Sequence, residues 1–512
     1  MHTRLYNYLY WLQAALVALV LLGILPRETM FFVAAAVIVF IIKYPLEDGA
    51  AFFVQSIPLF LALPITESFD NFNEWRIVLV VLFAKWLSTN WRQISIPHRR
   101  KSWQHFAWEA LLVLALLSLI NAPEVTTGIR RIIYLINASL IGVITYDLIR
   151  KNREFATRLI NAIRVPVMIV IAVGFLQVIS TYLMDVYQFM HLWGEGIQCN
   201  EFGTAWCYIA VNLGNTWLAY YGEQLSLRVF SLFPDSHSFP LFVLLGIPAL
   251  FTYGISNITK VTENFESLKR LFRTHGRFII LWVPAAFLIV ILSGTRGIWA
   301  ASIGVVCVAA LAQYLFKKFQ VSHIHAVLFR YTTSYLLLFF LLFAVAYPIF
   351  VSPQFLVSKG NFDLLGSRIR SIIDFGETSN SLRIEIWKKT LESIQEKPLL
   401  GVGIGNYPVV LGQDIRLARA GSSAHNIYLH IAAEIGIPAL LLAMSLVIFI
   451  FVRLYRAYTN NYHPIQTPYV GAMILCLPWV LIYSLTDVAL LDERALLLFT
   501  ATISMVTALG HD

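Results

Sequence analysis

Arg296, Arg383 and His425 are the residues of this chain best suited to chemistry on a charged substrate. A guanidinium forks onto phosphate through two N–H groups and stays protonated. A neutral imidazole takes a proton from a hydroxyl near pH 7. Together they suit an anionic, lipid-linked substrate attacked by an acceptor hydroxyl. Arg296 stands in Ser293-Gly294-Thr295-Arg296-Gly297, between two long apolar runs. The connection is too short for an ordinary loop, so Arg296 belongs at or just inside a membrane interface. An arginine within a membrane segment costs about 2.5–3.5 kcal/mol on insertion scales, which calls for a partner or a function. Snorkelling to headgroups is the bland alternative. His425 follows Ser422-Ser423-Ala424 at a helix start, where a lone histidine is either an interfacial polar residue or a base.

A second polar group opens with Arg228 and runs through Asp235 and His237 to Phe239. It precedes a long apolar helix, and ordinary loop polarity competes with substrate binding there. Further on, Ser381 is placed to cap an amphipathic helix from Leu382 to about Glu396. Leu382, Ile386, Trp387, Leu391 and Ile394 form its apolar stripe, and Pro398 stops it. Arg383 lies on the polar face of that helix. Gly401-Val402-Gly403-Ile404-Gly405 follows, read either as a tight turn or as backbone able to approach a ligand closely. No βαβ unit frames it, which excludes a dinucleotide site. Ser423 or Asn426 caps the next helix, whose apolar run from Ile427 is broken by Glu434 and Gly436-Ile437-Pro438. Glu434, nine residues beyond His425, lies on a different turn and is a candidate to balance it indirectly.

These residues need a frame, and composition supplies one. The chain has 512 residues, 58% apolar and 13% charged, with a mean hydropathy of +0.70. Soluble domains carry about 25% charged residues. Runs such as 239–255, 278–292 and 328–350 have the length a bilayer demands. The expected fold is all-α, a polytopic transmembrane bundle of about 12–14 spans, nearer fourteen. A large loop on the outer face is expected to carry amphipathic helices. The first apolar run, ending at Pro26-Arg27-Glu28, lacks a small-residue cleavage site and reads as a retained helix. The net charge of +9 does not indicate nucleic acid, because the basic residues punctuate hydrophobic spans as the positive-inside rule requires. The clusters are Arg92 with Arg99, Arg100 and Lys101; Arg150 to Arg164; Lys260 to Arg277; Lys317, Lys318 and Arg330; and Arg453 with Arg456. One orientation puts all of them in the cytoplasm.

The opposite face then receives 66–75, 122–129, 185–238, 351–425 and the turn Asp487–Arg494. The chain divides into N-terminal spans 1–184, an outer loop 185–238, spans 239–350, the large outer loop 351–425, and C-terminal spans 426–512. Loops this long usually have a task. Cys307 and Cys476 sit in apolar spans. Cys199 and Cys207 share an outer loop and are able to pair if Gly203 breaks the helix between them. A continuous helix would hold them about 10 Å apart. No metal-ligand spacing and no Asp-x-Asp pair occurs in the outer loops.

With these residues in order, the chain resembles the O-antigen ligase and O-antigen polymerase superfamily of bacterial envelope glycosyltransferases. The resemblance rests on Arg228 to Phe239, on Ser293–Gly297, on Arg383-Ile-Glu-Ile-Trp387 followed by Pro398 and Gly401–Gly405, and on His425-Asn426 with Glu434-Ile-Gly436. It covers roughly 225–440; the N-terminal half is similar only as a set of hydrophobic helices. Where this chain has Asp235-Ser236-His237, family members often carry Asn. The resemblance implies an inner-membrane enzyme with an extracytoplasmic active site. It implies inverting glycan transfer from undecaprenyl diphosphate, without metal or cofactor, to a glycolipid acceptor. Arg296, Arg383 and Arg228 would hold the diphosphate, and His425 would take the acceptor proton. Asp235, His237 and Glu434 complete the substrate-binding candidates. A ligase acting on lipid A-core is the first expectation and a polymerase of lipid-linked repeats the alternative. A protein-directed oligosaccharyltransferase is a third. A transporter of lipid-linked sugars is the rival from another class, but it would need charges deep in the spans.

Overall fold

The computed structural model describes residues 2–65, 72–94, 103–203, 206, 217–221, 224–255, 276–356, 378–414, 422–460 and 462–511. Cys207, the basic residues 99–101 and 260–273, and the loop segment 357–377 lie outside these. The chain is an all-α polytopic membrane protein. Its long helices are α1 (His2–Leu21), α2 (Thr29–Lys43), α3 (Leu46–Ser56), α4 (Glu74–Ile94), α5 (Trp103–Ser118), α6 (Val125–Lys151) and α7 (Glu154–Ser180). After the first long loop come α8 (Ser238–Ile255), α9 (Gly276–Leu292), α10 (Arg296–Lys318) and α11 (His323–Val351). The second loop carries α12 (Thr378–Glu396), and the chain closes with α13 (Ile427–Ile435), α14 (Ile437–Thr459), α15 (Gln466–Tyr483) and α16 (Glu493–Leu509). Among the described residues six helices, α6, α7, α10, α11, α14 and α15, are long and apolar enough to cross a membrane, and five further apolar helices are shorter. One addition to the helical reading is a small antiparallel hairpin in the first loop, β1 (Leu218–Tyr221) paired with β2 (Gln224–Leu227).

Small residues let the central helices approach. A methyl group added at Gly246 of α8 would meet Val167 of α7 at 2.2 Å, so only glycine allows that crossing. Proline sits inside α7, α8, α9, α11 and α15. Packed neighbours and local adjustment make such breaks tolerable in membrane helices.

The segment 228–237 is irregular backbone sunk into the bundle, and its polar groups are met one by one. Gln177 of α7 accepts from Phe230 N–H (3.2 Å) and Ser231 N–H (2.7 Å) and donates to Ser231 O (3.1 Å). Ser231 Oγ donates to Val170 O at 2.6 Å. Gln198 donates to Phe233 O at 3.0 Å, and Trp217 to Pro234 O at 3.0 Å. Each buried group left unmet costs about 1–3 kcal/mol. Gln177→Leu orphans two N–H groups and a carbonyl. It is therefore expected to lower the thermal unfolding midpoint in detergent markedly, with the loss of the 228–237 backbone geometry following from it.

Arg494, at the start of α16, ties four segments together. Its Nη1 donates to Glu201 Oε1 (2.5 Å) and to Leu232 O, and its Nη2 to Phe60 O (2.8 Å). The guanidinium also lies over the Phe202 ring, 4.9 Å from its centroid. Arg494 and Glu201 are fully buried. Cys199, two residues before Glu201, is disulfide-bonded, while Cys307 and Cys476 are free. The helix after Cys199 ends at Phe202, with Gly203 at φ +91°, the break the sequence offered.

Candidate active site

The polar residues singled out above gather at one end of the bundle, where α8 begins, α9 and α15 end, and the loop before α13 returns. Asp235 builds the α8 terminus. Its Oδ1 accepts from His237 N–H (2.8 Å), Ser238 N–H (2.7 Å) and Ser238 Oγ (3.0 Å). That is an N-cap role, meeting donors a helix leaves open. Arg228 Nη2 lies 2.7 Å from His237 Nε2. A guanidinium only donates, so Nε2 accepts and the ring proton sits on Nδ1. That Nδ1 faces Asp487 Oδ2 at 3.9 Å.

Asp487 was missed in the sequence as a site residue. It lies just beyond α15, and its Oδ1 accepts from Val488 N–H (2.7 Å) and Ala489 N–H (3.0 Å). Burial pushes its carboxyl up, but His237, His425, Arg383 and the Val488 N–H together hold it below the usual carboxylate range. Its place in the outer turn 487–494 was the available signal. An isolated aspartate there has no spacing partner, so pattern reasoning passed over it.

His425 is held in an unusual backbone. Its φ is +46°, in the left-handed region that non-glycine residues rarely adopt. Three contacts impose it. Trp387 of α12 donates to Ala424 O at 2.9 Å. His425 N–H bonds Ser423 Oγ at 3.3 Å. Ile427 N–H bonds Ser484 O, at the end of α15, at 2.9 Å. Asn426 is the α13 cap, accepting from Tyr428 and Leu429 N–H. Of the two capping candidates, Ser423 therefore serves His425 instead. The imidazole makes no hydrogen bond to any described residue, and its Nδ1 is buried. Nε2 is left as the nitrogen open to a ligand. Burial pushes the imidazole pKa down, Asp487 works against that, and Arg383 adds to it. Burial likewise pushes His237 down, to about 4, against the pull of Asp487. Both rings are neutral at pH 7.

Arg383 is half-buried on α12 and its charge acts on His237, His425 and Asp487 together. It makes no hydrogen bond or ion pair with the described residues, so its donors are available. The helix that carries it starts at Thr378 and not after Ser381. Thr378-Ser379-Asn380-Ser381 offers four capping-type residues in a row, and composition does not choose among them.

Arg296 is placed by its neighbours. Thr295 Oγ1 donates to Ser236 O at 2.7 Å, tying the α10 start to the Asp235–His237 turn. On the other side a methyl group at Gly297 would meet Thr486 Oγ1 at 2.3 Å and Tyr483 at 2.9 Å. Arg296 thus stands between the turns that carry His237 and Asp487. Arg383 acts electrostatically on His425, His237 and Asp487, and Arg228 on His237.

Glu434 does not reach His425. It accepts from Tyr407 N–H at 3.1 Å and lies 3.5 Å from His430 Nε2. His430 stacks on Tyr407, centroids 4.7 Å apart. The glycine segment 401–405 is part of the same support. Val402 N–H bonds Ala433 O and Gly403 N–H bonds Glu434 O. A Cβ at Gly401 would lie 2.3 Å from Ala433 O, and one at Gly403 would lie 2.5 Å from Ala122 Cβ. Its glycines admit neighbouring protein backbone.

The arrangement is an unbonded neutral imidazole, a guanidinium with open donors and an ionised carboxylate, meeting from three separate stretches of chain. It can take a proton from a hydroxyl while holding an anion. Residues 281–444 match the family model described as O-Antigen ligase. The match includes Arg296, Arg383, His425 and Glu434; Arg228, His237 and Asp487 are contributed from outside it. No curated protein matches the chain.

Proposed function

From the match of residues 281–444 to the O-antigen ligase family model, we propose that the chain is a member of the O-antigen ligase/polymerase superfamily and a metal-independent, inverting glycosyltransferase. The family makes it a glycosyltransferase-like membrane enzyme whose substrates are lipid-linked glycans and glycolipids. Within that class the donor is a glycan on undecaprenyl diphosphate, and the acceptor is the lipid A-core glycolipid of lipopolysaccharide. The site faces the periplasm from the inner membrane. The single observation that carries this reading is the neutral, unbonded His425 beside the open guanidinium of Arg383.

The chemistry follows from the geometry. His425 Nε2 takes the proton of the acceptor hydroxyl as its oxygen attacks the anomeric carbon. The bond from that carbon to the diphosphate oxygen breaks on the opposite face, and the electron pair leaves with the diphosphate. The anomeric configuration inverts. Arg383, Arg296 and Arg228 meet the charge that builds on the leaving group. Asp487 balances the imidazolium as it forms, through a field that burial strengthens. Asp235 and His237 shape the turn beside the diphosphate.

Purified protein, lipid-linked glycan, candidate acceptors and EDTA make the test. Transfer to lipid A-core in EDTA supports the proposal, and an absolute need for a divalent ion overturns the metal-independent step. Transfer only to a second lipid-linked repeat unit identifies a polymerase instead. Arg383→Ala is expected to lower the turnover number by about 10²–10³-fold, the usual cost of removing one preorganised donor to developing charge. Initial rates at saturating donor measure it.

A further inference from the structure

Two more arginines stand at the same end of the bundle, away from the His425 cluster. Arg76 lies in the first turn of α4 and Arg131 in the second turn of α6. The Arg76 guanidinium carbon is 5.4 Å from the Trp75 ring centroid and 5.6 Å from that of Tyr134. The Arg131 guanidinium carbon is 5.2 Å from the same Tyr134 ring. The rings are locked in place. Tyr134 Oη donates to Leu491 O at 2.9 Å, and Trp75 Nε1 to Glu493 Oε2 at 2.9 Å. Glu493 also accepts from Asn73 at 2.5 Å, so this carboxylate is engaged by neutral donors.

Among the described residues neither guanidinium makes a hydrogen bond or an ion pair. Both are half-buried, and Arg76 Nε is fully buried without a partner. A ring face attracts a cation by about 0.5–2 kcal/mol. That does not offset two like charges drawn to one ring in a partly dry setting, where repulsion is strong. An oxyanion from outside the chain would balance them, and phosphate fits the fork geometry of arginine.

We propose that Arg76 and Arg131 bind the phosphate of an anionic lipid at this end of the bundle. Their position in the first two turns of α4 and of the membrane-spanning α6 puts them at headgroup depth. Arg131 also borders the support of the active site. Its Cβ lies 3.4 Å from a Cβ built at Gly405, and its charge acts on His430. Resting on the transferase reading above, the natural occupant is the acceptor glycolipid, whose phosphate at this site would direct its sugar towards His425.

Free phosphate carries the same chemistry, so the experiment separates the sources. The full chain is placed in phosphatidylcholine nanodiscs and titrated with phosphatidic acid, a lipid with a bare phosphate monoester. Bound lipid is read by native mass spectrometry. Arg76→Gln/Arg131→Gln is expected to weaken phosphatidic acid binding by at least about tenfold, the worth of one charged hydrogen bond. Millimolar inorganic phosphate is expected to leave the lipid in place. Equal lipid affinity in wild type and the double variant overturns the site, and complete displacement by inorganic phosphate overturns the lipid assignment. If the double variant does not fold, Arg131→Gln alone carries the same comparison. Binding is read without turnover, so it succeeds or fails independently of the transferase reaction. Where transfer is active, the variant raises KM for the lipid acceptor and leaves kcat and the donor KM unchanged.

Discussion

Replacing His425 with alanine is expected to lower the turnover number for glycan transfer by about 10²–10⁴-fold, the contribution of a positioned general base. Donor binding should be unchanged, because the arginines proposed to hold the diphosphate remain. The backbone at this position is left-handed, with φ +46°, and alanine tolerates that region less well than asparagine does. His425→Asn is therefore the cleaner variant, since it keeps the turn and removes the base. Equal thermal midpoints for it and wild type separate lost chemistry from lost folding. A pH profile adds a second readout. Only the neutral ring accepts a proton, and burial lowers its pKa. The wild-type rate should thus hold as pH falls past about 6.5, the ordinary imidazole value, and drop only at lower pH. The residual rate of His425→Asn should lack that acid limb. Full activity in either variant would remove His425 from the mechanism.

Arg494→Ala is the second large effect, and it acts on stability. The substitution leaves Glu201 buried with no countercharge and opens the bonds to Phe60 O and Leu232 O. Breaking a buried pair from one side costs about 3–5 kcal/mol. The expected result is a strongly lowered unfolding midpoint and poor recovery of folded protein from the membrane. Removing both charges in Arg494→Met/Glu201→Gln should recover part of the loss, because no lone charge then stays buried. A single variant that melts with wild type would show that the pair contributes nothing net. The fold gives this clamp a further consequence. It anchors Leu232, five residues before His237, so weakened binding of donor should accompany the loss of stability.

The helical bundle was legible because the bilayer writes it into composition. Runs such as 239–255 and 328–350 are too long and too apolar for anything else, and basic residues mark their ends. Several candidate site residues were legible one at a time. Arg296 stood out by its insertion cost, Arg383 by the polar face of an amphipathic helix, and His425 by its helix-start context. Asp487 was not legible, because a single aspartate in a short turn has no periodicity or spacing to betray it. Nor was Arg494, which reads as an ordinary charge at a helix start but is buried against Glu201, 293 positions away. Glycines 401, 403 and 405 were legible as a turn but not as a packing surface for Ala433, Glu434 and Ala122.

The sequence by itself therefore determined the membrane-spanning frame, the capping residues available and the inventory of cations and imidazoles. Those depend on local properties, namely hydropathy, helix propensity and capping chemistry, which act over a few turns. Only the tertiary structure decided which of them meet. It set Asp487 against His237, gave Glu434 to Tyr407 and His430, and left His425 unbonded beside Arg383. Such pairings form between segments tens to hundreds of residues apart, where the choice of partner is made by how helices cross, and no local pattern encodes that.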